Sequence, residues 1–295
     1  MTSSNSIKHI IAASDLSDHS SNAVKVAAAL AKNHKAKLSL VHAIEALPLV
    51  SAWGDPGGVS WIGLPALIET ARSALQKIAD QMNQQFGIKP EVEVLVGSAH
   101  QQISQAAKKS AADLVVIGTH GHRRLVERLL GTTAQNVVRR CEQPVLIVRR
   151  DAQLAWHHIV AATDFSESAM AAASLARSLA PDVALTLLHV DPAIPEATLA
   201  LARPDAAQLA LYVEHQQKKS KQALKDQCNK LGENVTPLQL DGEPTTQLKN
   251  TLEQTGADLL ALGTHGRTLL EAGLLGSFSQ KALFLGDCDV LVVRK

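Results

Sequence analysis

Two doubly wound α/β domains in tandem are the fold class this sequence predicts, on three observations. The first is a glycine pattern that occurs twice. Gly118-Thr119-His120-Gly121, nine residues and Gly131-Thr132-Thr133 are matched by Gly263-Thr264-His265-Gly266, nine residues and Gly276-Ser277. The copies stand 145 positions apart (263 − 118). The second is that the repeat runs far beyond the glycines. His9–Ser17 pairs with His158–Ser166, Leu40–Ala43 with Leu187–Val190, and Ala112–Gly118 with Ala257–Gly263. The third is the alternation of short apolar runs with longer stretches of helical periodicity. Such runs read as strands buried on both faces of a parallel sheet, joined by right-handed helical crossovers. A length of 295 residues suits two domains of about 150. The join falls in Asp151–Ala155, which gives domains 1–150 and 151–295.

In the first half the strands are expected at Ile10–Ser14, Leu38–Ala43, Val92–Val96, Leu114–Gly118 and Val145–Val148. Between them Ser20–His34, Ala66–Phe86, Ala99–Ser110 and Thr132–Arg140 carry apolar residues at helical spacing. Asp18 or Ser20, Ser98 and Thr132 stand where helix N-caps are expected. Glu45–Pro65, with Trp53-Gly54-Asp55-Pro56-Gly57-Gly58 and Trp61, reads as a long irregular loop, a variable excursion or a lid. The second half has Asp191–Pro204 in its place, rich in Ala and Pro.

Composition narrows the function. A formal charge of +1 and eight aromatic residues (four Phe, three Trp, one Tyr) argue against a nucleic-acid binder with a basic stripe or stacking platforms. No apolar run approaches the ~18 residues of a membrane span, and the polar start shows no secretory pattern. Cys141, Cys228 and Cys288 form neither a CxxC pair nor a disulfide framework. A cytoplasmic protein is expected.

The chemistry concentrates at the strand ends. Leu259–Gly263 is a strand that ends in glycine at the carboxyl edge, where open α/β sheets bind ligands. Without Cβ atoms, Gly263 and Gly266 let the backbone turn sharply and aim N–H groups at a phosphate. Gly276-Ser277 then opens a helix over Ser277–Leu285, whose first turn, with hydroxyls at Ser277 and Ser279, suits an anion. Gly118, Gly121, Gly131, Thr132 and Thr133 offer the same parts in the first half. Asp15 and Asp164 close the first strand of each half. Position alone leaves two roles open for them, a ligand to a ribose or metal and an N-cap of the following helix.

On the doubled G-x2-G-x9-G-[S/T] pattern the sequence resembles a tandem universal stress protein of the ATP-binding type, over residues 7 to 295. The resemblance implies a Rossmann-like, adenine nucleotide alpha hydrolase-like domain with a five-stranded parallel sheet in each half. It implies ATP, ADP or AMP as ligand, with or without Mg²⁺. Asp15 and Asp164 would contact the ribose, Ala43 and Val190 would lie near adenine with Ala13 and Ala162 close by, and the glycines and hydroxyls would hold phosphates. Ser279 keeps a hydroxyl that the family often has and Ala134 lacks; Arg267 keeps a family arginine where the first half has His122. Arg123, Arg124 and Arg128 make the first loop more basic. The second site is therefore the expected better match.

Other chemistries fit less well. The repeated histidines, His42 with His189 and His120 with His265, lack zinc-ligand spacing and read as packing or loop-bonding residues. There is no G-x-S-x-G elbow and no Walker lysine. The run Lys218-Lys219-Ser220-Lys221 reads as an exposed helix face. The expected function is a nucleotide-dependent regulator of the stress response, read by an unidentified protein partner and at most a slow ATPase. The alternatives are an Mg²⁺-dependent ATPase or nucleotidyl-transfer enzyme acting through Asp15 or Asp164, and a scaffold with nucleotide as structural cofactor. The last strands, Val145–Val148 and Val290–Val293, are candidate sheet edges. The resemblance implies pairing through them, as an intrachain pseudo-dimer or in a homodimer. No membrane or nucleic-acid partner is expected.

Overall fold

The computed structural model describes residues 7–45, 64–119, 130–150, 155–193, 205–264 and 276–294. The chain folds into two compact units, Met1–Leu154 and Ala155–Lys295.

In the first unit β1 (His9–Ala13), β2 (Lys37–Ile44), β3 (Glu91–Val96), β4 (Leu114–Gly118) and β5 (Val145–Val148) line up in the order β3-β2-β1-β4-β5. All four pairings are parallel. Helices α1 (Asp18–His34), α2 (Leu64–Phe86), α3 (Ala99–Lys109) and α4 (Thr132–Arg140) form the crossovers. In the second unit β6 (His158–Ala162), β7 (Ala184–Asp191), β8 (Val235–Asp241), β9 (Leu259–Gly263) and β10 (Asp289–Val293) repeat the parallel order as β8-β7-β6-β9-β10. Helices α5 (Glu167–Leu179), α6 (Ala206–Leu231), α7 (Pro244–Thr255) and α8 (Ser277–Ala282) connect them. The break in strand order beside β1 and β6 makes a crevice at the carboxyl edge of each sheet.

With few aromatics, the core is built from small and branched aliphatic side chains. Strands β4 and β9 are buried on both faces, and Ala23, Ala27, Ala28 and Ala31 of α1 and Ala169, Ala172, Ala173 and Ala176 of α5 bring those helices close to them. Each half also ties the start of its first strand to the turn before its fourth. Asp113 accepts from Lys8 N–H and His9 N–H at 2.7 and 2.9 Å. Asp258 accepts from His157 N–H and His158 N–H at 2.8 and 3.1 Å. The repeated Ala-Asp pair is therefore structural. Among the described residues no helix is long and apolar enough to cross a membrane.

Several local expectations are corrected. Ser17, one residue before α1, is its N-cap and accepts from Ser20 N–H; neither Asp18 nor Ser20 is the cap. Gly131 caps α4, so Thr132 is the first helical residue. Ser98 is the cap position of α3, but its hydroxyl pairs with His100 Nδ1 at 3.0 Å instead of with the helix. Helix α8 ends at Ala282, short of Leu285, because the chain turns there on bonds from Phe284 and Leu285 N–H to Lys281 and Ala282 carbonyls. Asp191 belongs to β7 and not to the following loop, since its backbone stays in register with Asp241. Leu64 and Pro65 are helical; residues 46–63 of the expected loop lie outside the described residues.

Candidate functional site

A cavity of about 490 Å³ opens at the carboxyl edge of each sheet. Ala13, Asp15, Ala43, Gly118, Gly131, Thr132 and Thr133 line the first. Ala162, Asp164, Val190, Gly263, Gly276, Ser277 and Ser279 line the second. The structure thus gathers these fourteen sequence-selected residues into two matched places. The other two, Gly121 and Gly266, lie outside the described residues, as do His120, His265, Arg123, Arg124, Arg128, His122 and Arg267.

The corner after the first strand follows the same backbone plan in both halves. Leu16 and Phe165 adopt left-handed backbone at φ 66° and 67°, a strained conformation for a large side chain. The preceding hydroxyls hold it: Leu16 N–H donates to Ser14 Oγ and Phe165 N–H to Thr163 Oγ1, each at 3.0 Å. Asp15 Oδ1 accepts from Ser17 N–H at 3.1 Å and from Ser17 Oγ–H at 2.5 Å. Asp164 Oδ1 accepts from Ser166 N–H at 3.0 Å. Ser17 and Ser166 then cap α1 and α5. Both aspartates therefore orient the capping serine and are not the caps. Among the described residues the second carboxylate oxygen of Asp15 is buried with no hydrogen-bond partner, a costly state that a donor on a ligand would relieve.

The glycines serve differently from one another. Gly263 has no positive φ; its missing Cβ makes room for α5. A Cβ there would stand 2.6 Å from Ala169 N and 2.7 Å from Ser168 C. The expected sharp turn is replaced by close helix–strand packing. Gly131 N–H donates to the Thr119 carbonyl at 2.8 Å and Gly276 N–H to the Thr264 carbonyl at 2.9 Å, so both glycine loops are pinched shut at the same rung. Neither glycine cap offers a side chain to the first-turn N–H groups of its helix. Thr132, Thr133 and Ser277 are exposed at the cavity wall. Ser279 is not: its hydroxyl donates to the Gly263 carbonyl at 2.8 Å. Its one proton is committed to the loop, so the hydroxyl expected to hold phosphate fastens α8 to β9 instead.

Sequence reasoning did not select the histidines as site residues, yet both line the cavities. His42 Nδ1–H donates to the Ser14 carbonyl and His189 Nδ1–H to the Thr163 carbonyl, both at 2.8 Å. Their recurrence at matched positions was the available signal. The halves then diverge. Ser20, Glu45, Ala99 and Thr133 around the first cavity are replaced by Ala169, Pro192, Pro244 and the half-buried Phe278 around the second. Beside His189, Asp191 accepts from Ser220 Oγ–H at 2.6 Å and from Gln239 Nε2–H at 2.5 Å. Burial alone would raise the Asp191 carboxyl, but the bonds from Ser220 and Gln239, aided by His189, carry it below the ordinary carboxylate range. Among the described residues no group of three His, Cys, Asp or Glu is placed to hold a metal.

Fold and site together define a tandem protein of two doubly wound α/β domains, each with a built cavity at its switch point. The chain belongs to the universal stress protein family, whose model matches residues 6–149 and 155–294. A universal stress protein of Mycolicibacterium smegmatis is 27% identical across 97% of this chain and 96% of its own length. One from Methanocaldococcus jannaschii is 34% identical over 50% of this chain and 84% of its own. In the solved universal stress protein of Archaeoglobus fulgidus, 20% identical, the likeness covers 100% of this chain and 99% of that one at a TM-score of 0.66. At that identity it bears on the fold alone.

Proposed function

We propose that the cavities bind adenine nucleotide, and that the protein acts as a nucleotide-dependent regulator in a cytoplasmic stress response. The observation that carries this reading is Asp15, whose Oδ2 is buried without a hydrogen-bond partner among the described residues, in the lining of a cavity that also takes in a hydroxyl-lined helix start. A ribose hydroxyl supplies the donor that the carboxylate lacks. Exposed Thr132 and Thr133 hydroxyls and the first turn of the nine-residue α4 suit phosphate oxygens. In the second half Asp164 and Ser277 take the corresponding places. Bound nucleotide would bring its own Mg²⁺, held by phosphates rather than by a protein cluster. Turnover is no part of the proposal beyond a slow ATPase at most, because the motif supplies positioning without an evident catalytic base or arginine finger. A protein partner reading the nucleotide state, and homodimerisation, complete the proposal.

Calorimetric titration of nucleotide-stripped protein with ATP and Mg²⁺ tests it. Two sites are expected, one removed by Gly131→Asp and the other by Gly276→Asp. No heat in wild type, with no nucleotide retained on purification, would overturn the reading.

A further inference from the structure

Helix α6 is fastened to its sheet in a way that α2 is not. Helix α2 sits on an apolar stripe, Ala71, Leu75, Ala79, Met82 and Phe86. In α6 only Leu224, Cys228 and Leu231 are buried, all in its last two turns, and residues 206–223 include none. Further up, beside the half-buried Leu209 and Val213, the ties of α6 to its sheet are polar. Ser220 bonds Asp191; Gln217 Nε2–H donates to Asp241 at 3.0 Å; and Gln239 of β8 donates both to Asp191 and, at 3.1 Å, to the Gln217 carbonyl. Lower down, Thr163 Oγ1–H donates to Gln227 Oε1 at 2.8 Å. The inward Ser220 also corrects the expectation of a uniformly exposed charged run: its lysine neighbours face solvent and it does not.

One of these bonds ends on the wall of the second cavity and two end directly behind it. Thr163 lines that cavity. Asp191 lies between the lining residues Val190 and Pro192, and its Oδ1 stands 3.2 Å from Nε2 of His189, which also lines it. The His189 ring is thus held from three sides: Nδ1–H on the Thr163 carbonyl, Nε2 against Asp191, and the Phe165 ring tilted by 37° at a centroid distance of 4.2 Å. In the first half the position matching Asp191 is Ile44, and Ser14 bonds Ser20 of its own corner instead of reaching the middle helix. Among the described residues the polar fastening belongs to the second half alone.

We propose that Asp191 is a positioning residue of the second cavity: gripped by Ser220 and Gln239, its carboxylate fixes the His189 ring on the cavity wall and ties ligand fit there to the seating of α6. The proposal rests on the reading of that cavity as a nucleotide site. A wall preorganised by charge-assisted bonds loses affinity when its support is removed, even though the support never touches ligand. The same bonds make α6 the element that senses occupancy. A helix whose upper turns bury no apolar side chain opens easily, and ligand that tightens its fastening slows that opening.

The test uses the full chain carrying Gly131→Asp, so that only the second cavity reports, and compares it with the same protein also carrying Ser220→Ala or Asp191→Ile. Asp191→Ile installs the residue that the first half uses. Thermal melting checks that each is folded. Hydrogen exchange of residues 206–223 in the ligand-free variants is expected to rise while that of α2 stays constant, and the Kd for ATP to weaken about tenfold, the effect of one charge-assisted bond. With Asp191 and Ser220 intact, ATP is expected to slow exchange in 206–223. Faster exchange with an unchanged Kd would overturn the proposal, leaving the network purely structural; unchanged exchange in both variants would overturn it too. Failure of the nucleotide reading shows separately, as absence of ATP binding before either substitution is added.

Discussion

The two halves share a backbone and differ in how side chains fasten it. Both have a cavity of the same volume, a left-handed residue after the first strand, an aspartate orienting the capping serine, and a glycine pinching the loop. These features rest on local hydrogen bonds that a few neighbouring residues can supply, so a duplicated segment keeps them together. The fastenings across the layers have diverged. The first half relies on apolar contact, with Ile44 and the stripe on α2, and the second on polar groups: the half-buried Asp191, the buried Ser279, and the buried Asp289 with Trp156. Apolar packing tolerates exchange of one aliphatic residue for another, whereas a buried polar group fails when one partner is removed. The second half is therefore the more fragile to single substitutions.

The hardest test of that contrast is Gly263→Ala. The new Cβ meets α5 backbone at 2.6 Å, and backbone yields poorly. A loss of about 3 kcal/mol is expected for the second half by denaturant unfolding. Gly276→Ala, 3.4 Å from the Thr264 carbonyl and at an ordinary φ of −58°, is expected to cost less than about 1 kcal/mol. Equal costs would mean that α5 can retreat from β9. Next comes Trp156→Phe, which removes the 2.9 Å bond from Nε1–H to the buried Asp289. About 2 kcal/mol is expected, because a buried carboxylate loses a donor. The first half has Pro144 at the matching position and no such liability.

Ser279→Ala makes the second half resemble the first, where Ala134 stands. Losing the bond to the Gly263 carbonyl is expected to cost about 1 kcal/mol, seen as a lower melting temperature. If nucleotide affinity fell severalfold with no change in melting, Ser279 would be a ligand contact and its assignment to the loop would be wrong. The smallest effect concerns pH. Because the folded Asp191 carboxyl lies below its ordinary range, its contribution is full above about pH 4 and is lost as pH falls through the folded value. The stability difference between wild type and Asp191→Asn is expected to shrink on acidification below that point. A difference constant down to about pH 2 would assign it to packing rather than charge.

Much of this is legible from the repeat. A strand covered on both faces reads as an unbroken apolar run, so Leu114–Gly118 and Val145–Val148 emerge with their observed bounds. The cavity residues emerge because a glycine pattern at a sheet's carboxyl edge has few uses. The cap at Ser17 is less legible, since five consecutive residues from Asp15 to His19 include three that can cap and only backbone geometry selects one. The role of Ser279 is hidden from the sequence because spacing places a hydroxyl near a site without saying where its proton goes.

The sequence by itself determined the tandem α/β architecture, the parallel strands and which residues gather at each strand edge. Apolar periodicity and a repeated motif are properties of one dimension, and burial reads them directly. Only the tertiary structure decided that Asp15 keeps an oxygen unpartnered among the described residues, that Gly263 makes room for α5, and that Asp191 reaches Ser220 across 29 positions of chain. Those depend on which atoms meet after the layers have closed, and hydrogen bonds with a range of about 3 Å are decided by that meeting alone.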